Sequence, residues 1–257
     1  MEPIQGNVSI DAQNIMPIIK KWLYSDKDIF IREVVSNGCD AITKLRMVDS
    51  AAAQNCSIHV EVDKAARELR FTDDGIGMTE DEVKTNINQV AFSGAKSFME
   101  EYAKNEDKEN SGIIGHFGLG FYSVFMIADK VTIDTLSFRE GATPVRWESE
   151  DGMAFTMTEG TRTTRGTTIT LHVSEAESEF LEQWRVREVL DRYCSFMSVP
   201  IYLEEIKEEK VDDAEVTGEG SNEVKDGEAA EAKKEEPKPI NDTQPLYTRA
   251  PQDCTDE

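Results

Sequence analysis

The chain lacks any run approaching the roughly 20 apolar residues needed to cross a bilayer. Its start, Met1 to Ser9, is polar and shows no basic-then-apolar signal pattern. These absences predict a protein that stays in the cytoplasm. Positive charge is scarce as well: 28 Lys and Arg stand against 51 Asp and Glu, a formal net charge of -23. Such a field repels phosphate backbones and anionic lipid head groups, so neither nucleic acid nor a membrane surface is an expected partner. Cys39, Cys56, Cys194 and Cys254 form no C-x-x-C pair and have no metal-ligand spacing to His59, His116 or His172. Reduced, structural thiols are expected. The pattern G-x-x-x-x-G-K-[ST] is missing, which excludes a P-loop. No repeat with a period of about 20 to 50 residues is visible.

What is present suffices for one sizeable globular domain with an appendage: 257 residues, 39% of them hydrophobic. Residues 1–203 mix apolar periodicity with turns, whereas 204–239 are dominated by Glu, Lys, Asp, Ala, Gly and Pro and read as a disordered acidic linker. Residues 240–257 regain Leu246, Tyr247 and Pro251 and read as the start of a further, truncated domain. Within 1–203, Ile15 to Tyr24 and Asp28 to Val48 carry apolar residues at helical spacing. Ser57 to Asp63 and Glu68 to Thr72 alternate as a hairpin, and Lys130 to Leu136, Val145 to Glu148, Ala154 to Met157 and Thr167 to Val173 read as strands. A closing helix is expected over Phe180 to Met197. This order predicts an α+β fold, a two-layer α/β sandwich with helices covering one face of a mixed, mostly antiparallel sheet.

Three segments could carry chemistry. In the first, Glu33, Asn37, Asp40 and Lys44 follow one another in steps of four, three and four, so they share one face of a helix. A solvated stripe would show the same spacing. Asn37-Gly38 in mid-helix is unfavourable, however, since glycine costs roughly 1 kcal/mol relative to alanine. A turn ending the helix there is the competing reading, opposed by apolar spacing that continues through Leu45. Chemically, Glu33 could deprotonate a water, and Asn37 offers a neutral carbonyl oxygen to a hard cation such as Mg²⁺. The second segment is Phe71-Thr-Asp-Asp-Gly-Ile-Gly-Met78, directly after a strand. Gly75 and Gly77 permit close backbone approach, and Asp73 supplies an acceptor suited to an amine edge such as the N6 of adenine. Standing alone, it would equally be an acidic turn. The third, Gly112 to Phe125, is a glycine-rich loop opening into an apolar helix, whose bare N–H groups suit phosphate oxygens. It has no βαβ context, so it is not a Rossmann turn. Between the second and third, polar Ala91 to Ser111 could be a hinged lid or a mobile surface helix. Thr164-Arg-Gly-Thr167 could complete a polar cluster around Asp73, or be a plain strand-entry turn.

Taken in order, Glu-x-x-x-Asn, Asp-x-Gly-x-Gly, the glycine-rich loop and Gly-Thr resemble the ATP-binding superfamily of gyrase, heat-shock chaperones, sensor histidine kinases and MutL. Leu23-Tyr-Ser-Asp-Lys-Asp-Ile-Phe-Ile-Arg-Glu33, Ser93-Gly-Ala-Lys-Ser-Phe98 and Gly115-His-Phe-Gly-Leu-Gly-Phe-Tyr-Ser123 are similar to the N-terminal domain of the heat shock protein 90 family, above all its bacterial branch. The likeness runs from about Ile10 to Leu203, and Asn241 to Arg249 continues it into the start of that family's middle domain.

The resemblance implies a Bergerat-type fold in which ATP or ADP binds bent, with Mg²⁺, on the helical side of the sheet. By matching position, Glu33 would be the general base, Asn37 the Mg²⁺ ligand and Asp73 the adenine reader, supported by Gly77 and Thr167. Asp40, Lys44, Met78, Asn86 and Phe121 would line the pocket, while Gly115, His116, Phe117, Gly118, Leu119 and Gly120 would hold the phosphates. One departure stands out: where the family often has Asn-Leu-Gly-Thr-Ile-Ala-Lys, this chain has Asn86-Ile-Asn-Gln-Val-Ala-Phe92. The resemblance further implies a chaperone ATPase of the stress response, acting on client proteins with co-chaperones. Its completing arginine and its homodimer contacts belong to downstream domains, so this stretch would be a monomer with slow or undetectable hydrolysis. The alternatives are a histidine kinase or topoisomerase-type domain on the same pocket, and a non-enzymatic acidic interaction domain.

Overall fold

In the computed structural model, residues 26–89, 98, 113–115, 118–206 and 238–244 are described. Seven strands form one sheet in the order β5-β4-β3-β6-β2-β1-β7. They are β1 (Ile58–Asp63), β2 (Glu68–Asp73), β3 (Ala128–Leu136), β4 (Val145–Ser149), β5 (Thr156–Glu159), β6 (Gly166–Val173) and β7 (Ile201–Glu205). Every pairing is antiparallel except β1 with β7, so the sheet is mixed and mostly antiparallel, as the hairpin succession predicts. In β1 and β2 alternate residues are buried, and Ile58, Val60, Val62, Leu69 and Phe71 turn inward.

Helix α1 (Ile29–Val48) lies against that inner face, burying Phe30, Ile31, Val34, Val35, Cys39, Ile42 and Leu45. It runs unbroken through Asn37-Gly38, and the reason for the glycine is a close approach to the sheet. A Cβ on Gly38 would stand 3.0 Å from Cδ1 of Ile58 and 3.4 Å from Cβ of Asp73. Helix α2 (Glu80–Asn86) starts in a capping box: Thr79 Oγ1 accepts from the Glu82 N–H at 3.3 Å, and Glu82 Oε2 accepts from the Thr79 N–H at 2.7 Å.

Four local expectations differ in detail. The glycine-rich loop opens into a 3₁₀ helix, Gly120–Met126, rather than an α-helix. The closing helix divides into a 3₁₀ segment, Glu175–Leu181, and α3 (Gln183–Tyr193), because Phe180 and Leu181 are already committed to the core. The strand expected over Ala154 to Met157 lies two residues later, at Thr156–Glu159. Strand β7, which no sequence pattern announced, extends to Glu205, beyond the point where the acidic stretch begins.

Residues 240–242 close on this same unit. Asn241 is buried; its Oδ1 accepts from the Ile201 N–H at 2.9 Å, and its Nδ2 donates to the carbonyls of Met197 and Val199 at 2.8 and 2.9 Å. The Ile240 N–H donates to the Ile201 carbonyl at 2.8 Å. The helix expected over Ile15 to Tyr24, the lid over Ala91 to Ser111 apart from Phe98, and nearly all of the linker lie outside the described residues. Among the described residues, no helix is long and apolar enough to cross a membrane. Cys39, Cys56 and Cys194 are buried free thiols, and burial pushes Cys39 and Cys194 up to about 12.

Candidate functional site

Helix α1 is the wall on which the separate motifs meet. Near its start, Glu33 faces the end of the glycine-rich loop: a Cβ on Gly120 would stand 2.2 Å from Glu33 Oε2. One turn on, exposed Asn37 presents its Oδ1 3.5 Å from where a Gly115 Cβ would be. Buried Asp40 accepts from the backbone N–H groups of Ile114 and Gly115, each at 2.7 Å, one on each carboxylate oxygen. The polar stripe is therefore not simply solvated. It holds the strand of chain that leads into the phosphate-binding candidate. Gly118, in the middle of that loop, has φ +63.

The second motif docks on the same helix one turn further along. The Ile76 N–H donates to the Ala41 carbonyl at 3.1 Å, and Gly75 fits so tightly that a Cβ would meet that of Ala41 at 2.6 Å. Gly77 has φ +63, and a Cβ there would lie 1.9 Å from the Leu136 carbonyl oxygen, so only glycine fits. Asp73 ends β2 with its Oδ1 accepting from the Gly75 N–H at 2.8 Å. Burial pushes its carboxyl up to about 7, opposed by the backbone N–H donors of Gly75 and Thr167 and by Arg162. Thr167 is its direct neighbour on β6.

Met78 follows, its N–H donating to Thr135 Oγ1 at 3.0 Å. Asn86 ends α2, and the carbonyl of the next residue, Ile87, accepts from the Tyr122 hydroxyl at 2.5 Å. Through that bond the end of α2 is tied to the 3₁₀ helix that carries Phe121, which is buried, and follows Leu119, which is partly buried against the core. Lys44 lies with its Nζ 5.6 Å from the centroid of the Phe98 ring. Burial lowers its pKa, against the pull of Asp40 and Glu82. His116, Phe117 and Phe92 lie outside the described residues. Thus Glu33, Asn37, Asp40, Asp73, Gly77, Gly115, Gly120 and Thr167 are brought to one helix and to the ends of the central strands β2 and β6, with Met78 alongside.

Three residues of this neighbourhood escaped the sequence reading. Arg32 pairs with Glu33 at 2.5 Å, and Trp147 donates from Nε1 to Asn88 Oδ1 at 2.8 Å while packing edge-on against Phe121. Thr135, with no exposed surface, bonds to Met78, Gly166 and Thr167. Trp147 and Thr135 belong to no local motif, and only strand register and tertiary packing reveal them, whereas Arg32 stands next to Glu33 within the first motif.

A helix carrying an acid, a carboxamide and a second acid against two glycine-rich turns can hold a ligand that has a hydrogen-bonding ring edge at one end and anionic oxygens at the other. Known proteins agree with that. Residues 29–151 match the family described as histidine kinase-, DNA gyrase B-, and HSP90-like ATPase. The chain is 40% identical over 258 residues to the chaperone protein HtpG of Porphyromonas gingivalis strain W83, covering 98% of this chain and 35% of the relative. It is 43% identical over 258 residues to that of Bacteroides thetaiotaomicron, covering 98% and 34%. It is 38% identical over 255 residues to that of Cupriavidus taiwanensis, covering 96% and 37%. The chain spans about a third of the length of these curated relatives. The matched residues 29–151 span α1, the Asp73 turn and the glycine-rich loop, and this stretch of the chain belongs to the family of histidine kinase-, DNA gyrase B- and HSP90-like ATPases.

Proposed function

We propose that this chain is the nucleotide-binding part of a molecular chaperone ATPase, holding ATP or ADP with Mg²⁺ between α1 and the two glycine-rich turns. The observation that carries the reading is the double anchorage of Asp40 on Ile114 and Gly115, at 2.7 Å each, beside Glu33 at Gly120 and Gly38 at Asp73. One helix thereby spans the distance between an adenine reader and a phosphate loop.

Asp73, with Thr167 and Gly77 around it, reads the exocyclic amine of adenine as a carboxylate acceptor. Gly118 and Gly120, with His116, Phe117 and Leu119 before and between them, offer backbone donors to phosphate oxygens, while Gly115, its N–H given to Asp40, anchors the start of the loop. Asn37 fits a Mg²⁺ ion, which takes one or two protein oxygens and fills its remaining positions with phosphate and water; its Oδ1 lies beside Gly115 on the phosphate side. The ion would neutralise phosphate charge there. Glu33 serves as general base for water, with the Arg32 guanidinium 2.5 Å from its carboxylate. Asp40, Lys44, Met78, Asn86 and Phe121 complete the pocket wall, and the segment 91–111 serves as its lid.

In the longer protein, client proteins and co-chaperones act through further domains, and the dimer forms there. Residues 1–203 are the ATP-binding domain, 204–239 an acidic linker and 240–257 the start of a middle domain, with Ile240 to Asp242 held back on the first unit. The chain by itself is a cytoplasmic monomer with slow or undetectable turnover.

Calorimetry with ADP and Mg²⁺ tests the reading. Stoichiometric binding that disappears in Asp73→Asn is expected. Absence of heat at millimolar ADP for the unaltered chain overturns it.

A further inference from the structure

Asp73 and Thr167 stand on one rung of the sheet, and the rung continues to a residue outside the assigned site. On β6, Thr167 faces Asp73 of β2 on one side and Thr135 of β3 on the other. The flanking members of the same rung, Val145 on β4 and Ile58 on β1, are apolar and buried. Three polar side chains side by side between these two apolar neighbours, with exposures of 0% for Thr135, 7% for Thr167 and 9% for Asp73, are expensive unless every one is satisfied.

Thr135 is satisfied by groups that all belong to the base-reading end of the site. Its Oγ1 accepts from the Met78 N–H at 3.0 Å, and it lies 3.1 Å from the Gly166 carbonyl oxygen and 3.0 Å from Thr167 Oγ1. A hydroxyl has one proton to give. When Thr135 gives it to Thr167, the proton of Thr167 is released to point at a bound ligand. When Thr135 gives it to Gly166, Thr167 can return its own proton to Thr135 and shows the ligand only lone pairs. The hydrogen-bonding sense of Thr167 is thus decided one strand away. The same hydroxyl fixes the Met78 N–H, next to Gly77, whose backbone is pressed on the Leu136 carbonyl.

We infer that Thr135 is a positioning residue for base recognition: its buried hydroxyl sets the orientation of the Thr167 hydroxyl and the seat of the Gly77-Met78 turn beside Asp73. This rests on the adenine-nucleotide reading above. It acts through Thr167 and touches no ligand itself.

The test is a cycle of ADP affinities on the full chain with Mg²⁺, using Thr135→Val, Thr135→Ser, Thr167→Val and the double valine variant, each also followed by thermal unfolding. Thr135→Val is expected to weaken ADP about tenfold, the scale of one lost buried hydrogen bond. Thr135→Ser, which keeps the hydroxyl, should stay within about threefold of the parent. The double variant should lose about as much as the worse single one, because both changes remove one linked unit. Losses that multiply in the double variant, a Thr135→Val protein that binds like the parent, or failure of Thr135→Ser to recover binding would overturn the inference while leaving the nucleotide site standing. An unaltered chain that binds no ADP would overturn both.

Discussion

Replacing Asp73 by asparagine should abolish nucleotide binding and at the same time make the ligand-free protein more stable above neutral pH. The carboxyl is buried at the end of β2, and burial moves its pKa from the ordinary 3.8 to about 7. In the unfolded chain the group loses its proton near pH 4; in the folded protein it keeps it until about pH 7. Between these values the folded state binds the extra proton, so this group's contribution to stability falls as pH rises through the window and levels off above pH 7. At roughly 1.36 kcal/mol per tenfold change in proton affinity, the penalty has a ceiling of about 4 kcal/mol. Asparagine is neutral at every pH and keeps one carbonyl oxygen for the Gly75 N–H, now 2.8 Å from Oδ1. It cannot serve both backbone donors as an acceptor, which returns part of the gain and leaves about 1–2 kcal/mol. For a chain of this size that is a Tm higher by roughly 2–8 °C.

The assay is thermal unfolding of both proteins at pH 5 and pH 8, with and without ADP and Mg²⁺. The many exposed carboxylates titrate alike in both, so the difference between them isolates residue 73. The variant should melt above the parent at pH 8, by a margin that shrinks at pH 5. The parent should gain about 2.7 kcal/mol at ADP a hundredfold above its Kd, and the variant nothing. A variant that melts below the parent at pH 8, or that ADP still stabilises, refutes the assignment of Asp73 as a strained, buried recognition group.

Gly77→Ala should destabilise the fold by at least about 3 kcal/mol, since its φ of +63 and a carbonyl oxygen 1.9 Å from the new Cβ leave no room to relax; a denaturation midpoint equal to the parent's would contradict it. Asp40→Asn leaves one acceptor for two backbone donors, each 2.7 Å away, and is expected to weaken ADP binding about tenfold in calorimetry, with the sheet intact by circular dichroism. Asn241→Ala removes bonds to Ile201, Met197 and Val199 and should cost about 2–3 kcal/mol in urea unfolding without changing ADP affinity; an unchanged midpoint would mean that the segment after the acidic stretch does not stay docked.

The helix face formed by Glu33, Asn37, Asp40 and Lys44 was legible because helical spacing is local and survives any tertiary setting. The sheet was legible to the same degree: the hairpin of β1 and β2 came from alternation and a short turn, and both strands lie within a residue of where the pattern put them. Strand β7 was not legible, because Glu204 and Glu205 read as the beginning of an acidic stretch. Their place in the sheet comes from a parallel pairing with β1 across more than a hundred residues. A parallel partner distant in sequence leaves no turn to announce it.

The same distinction divides the candidate site. Gly38 looked like a cost to the helix, and only the nearness of Ile58 and Asp73 shows that the missing side chain is what lets α1 lie on the sheet. Thr135 looked like any threonine in a β-strand, since its importance depends on which residue of β6 the register sets beside it. Charge carries the argument one step further. A chain with net charge -23 should repel a polyphosphate, yet Asp40, the buried acid nearest the glycine-rich loop, has both oxygens turned to backbone N–H groups. Its negative charge is thereby spent on holding the loop, whose remaining donors can then face an anion. An acidity expected to repel nucleic acid is thus compatible with the proposed anion site, because backbone dipoles set the local field whatever the sum of the surface charges.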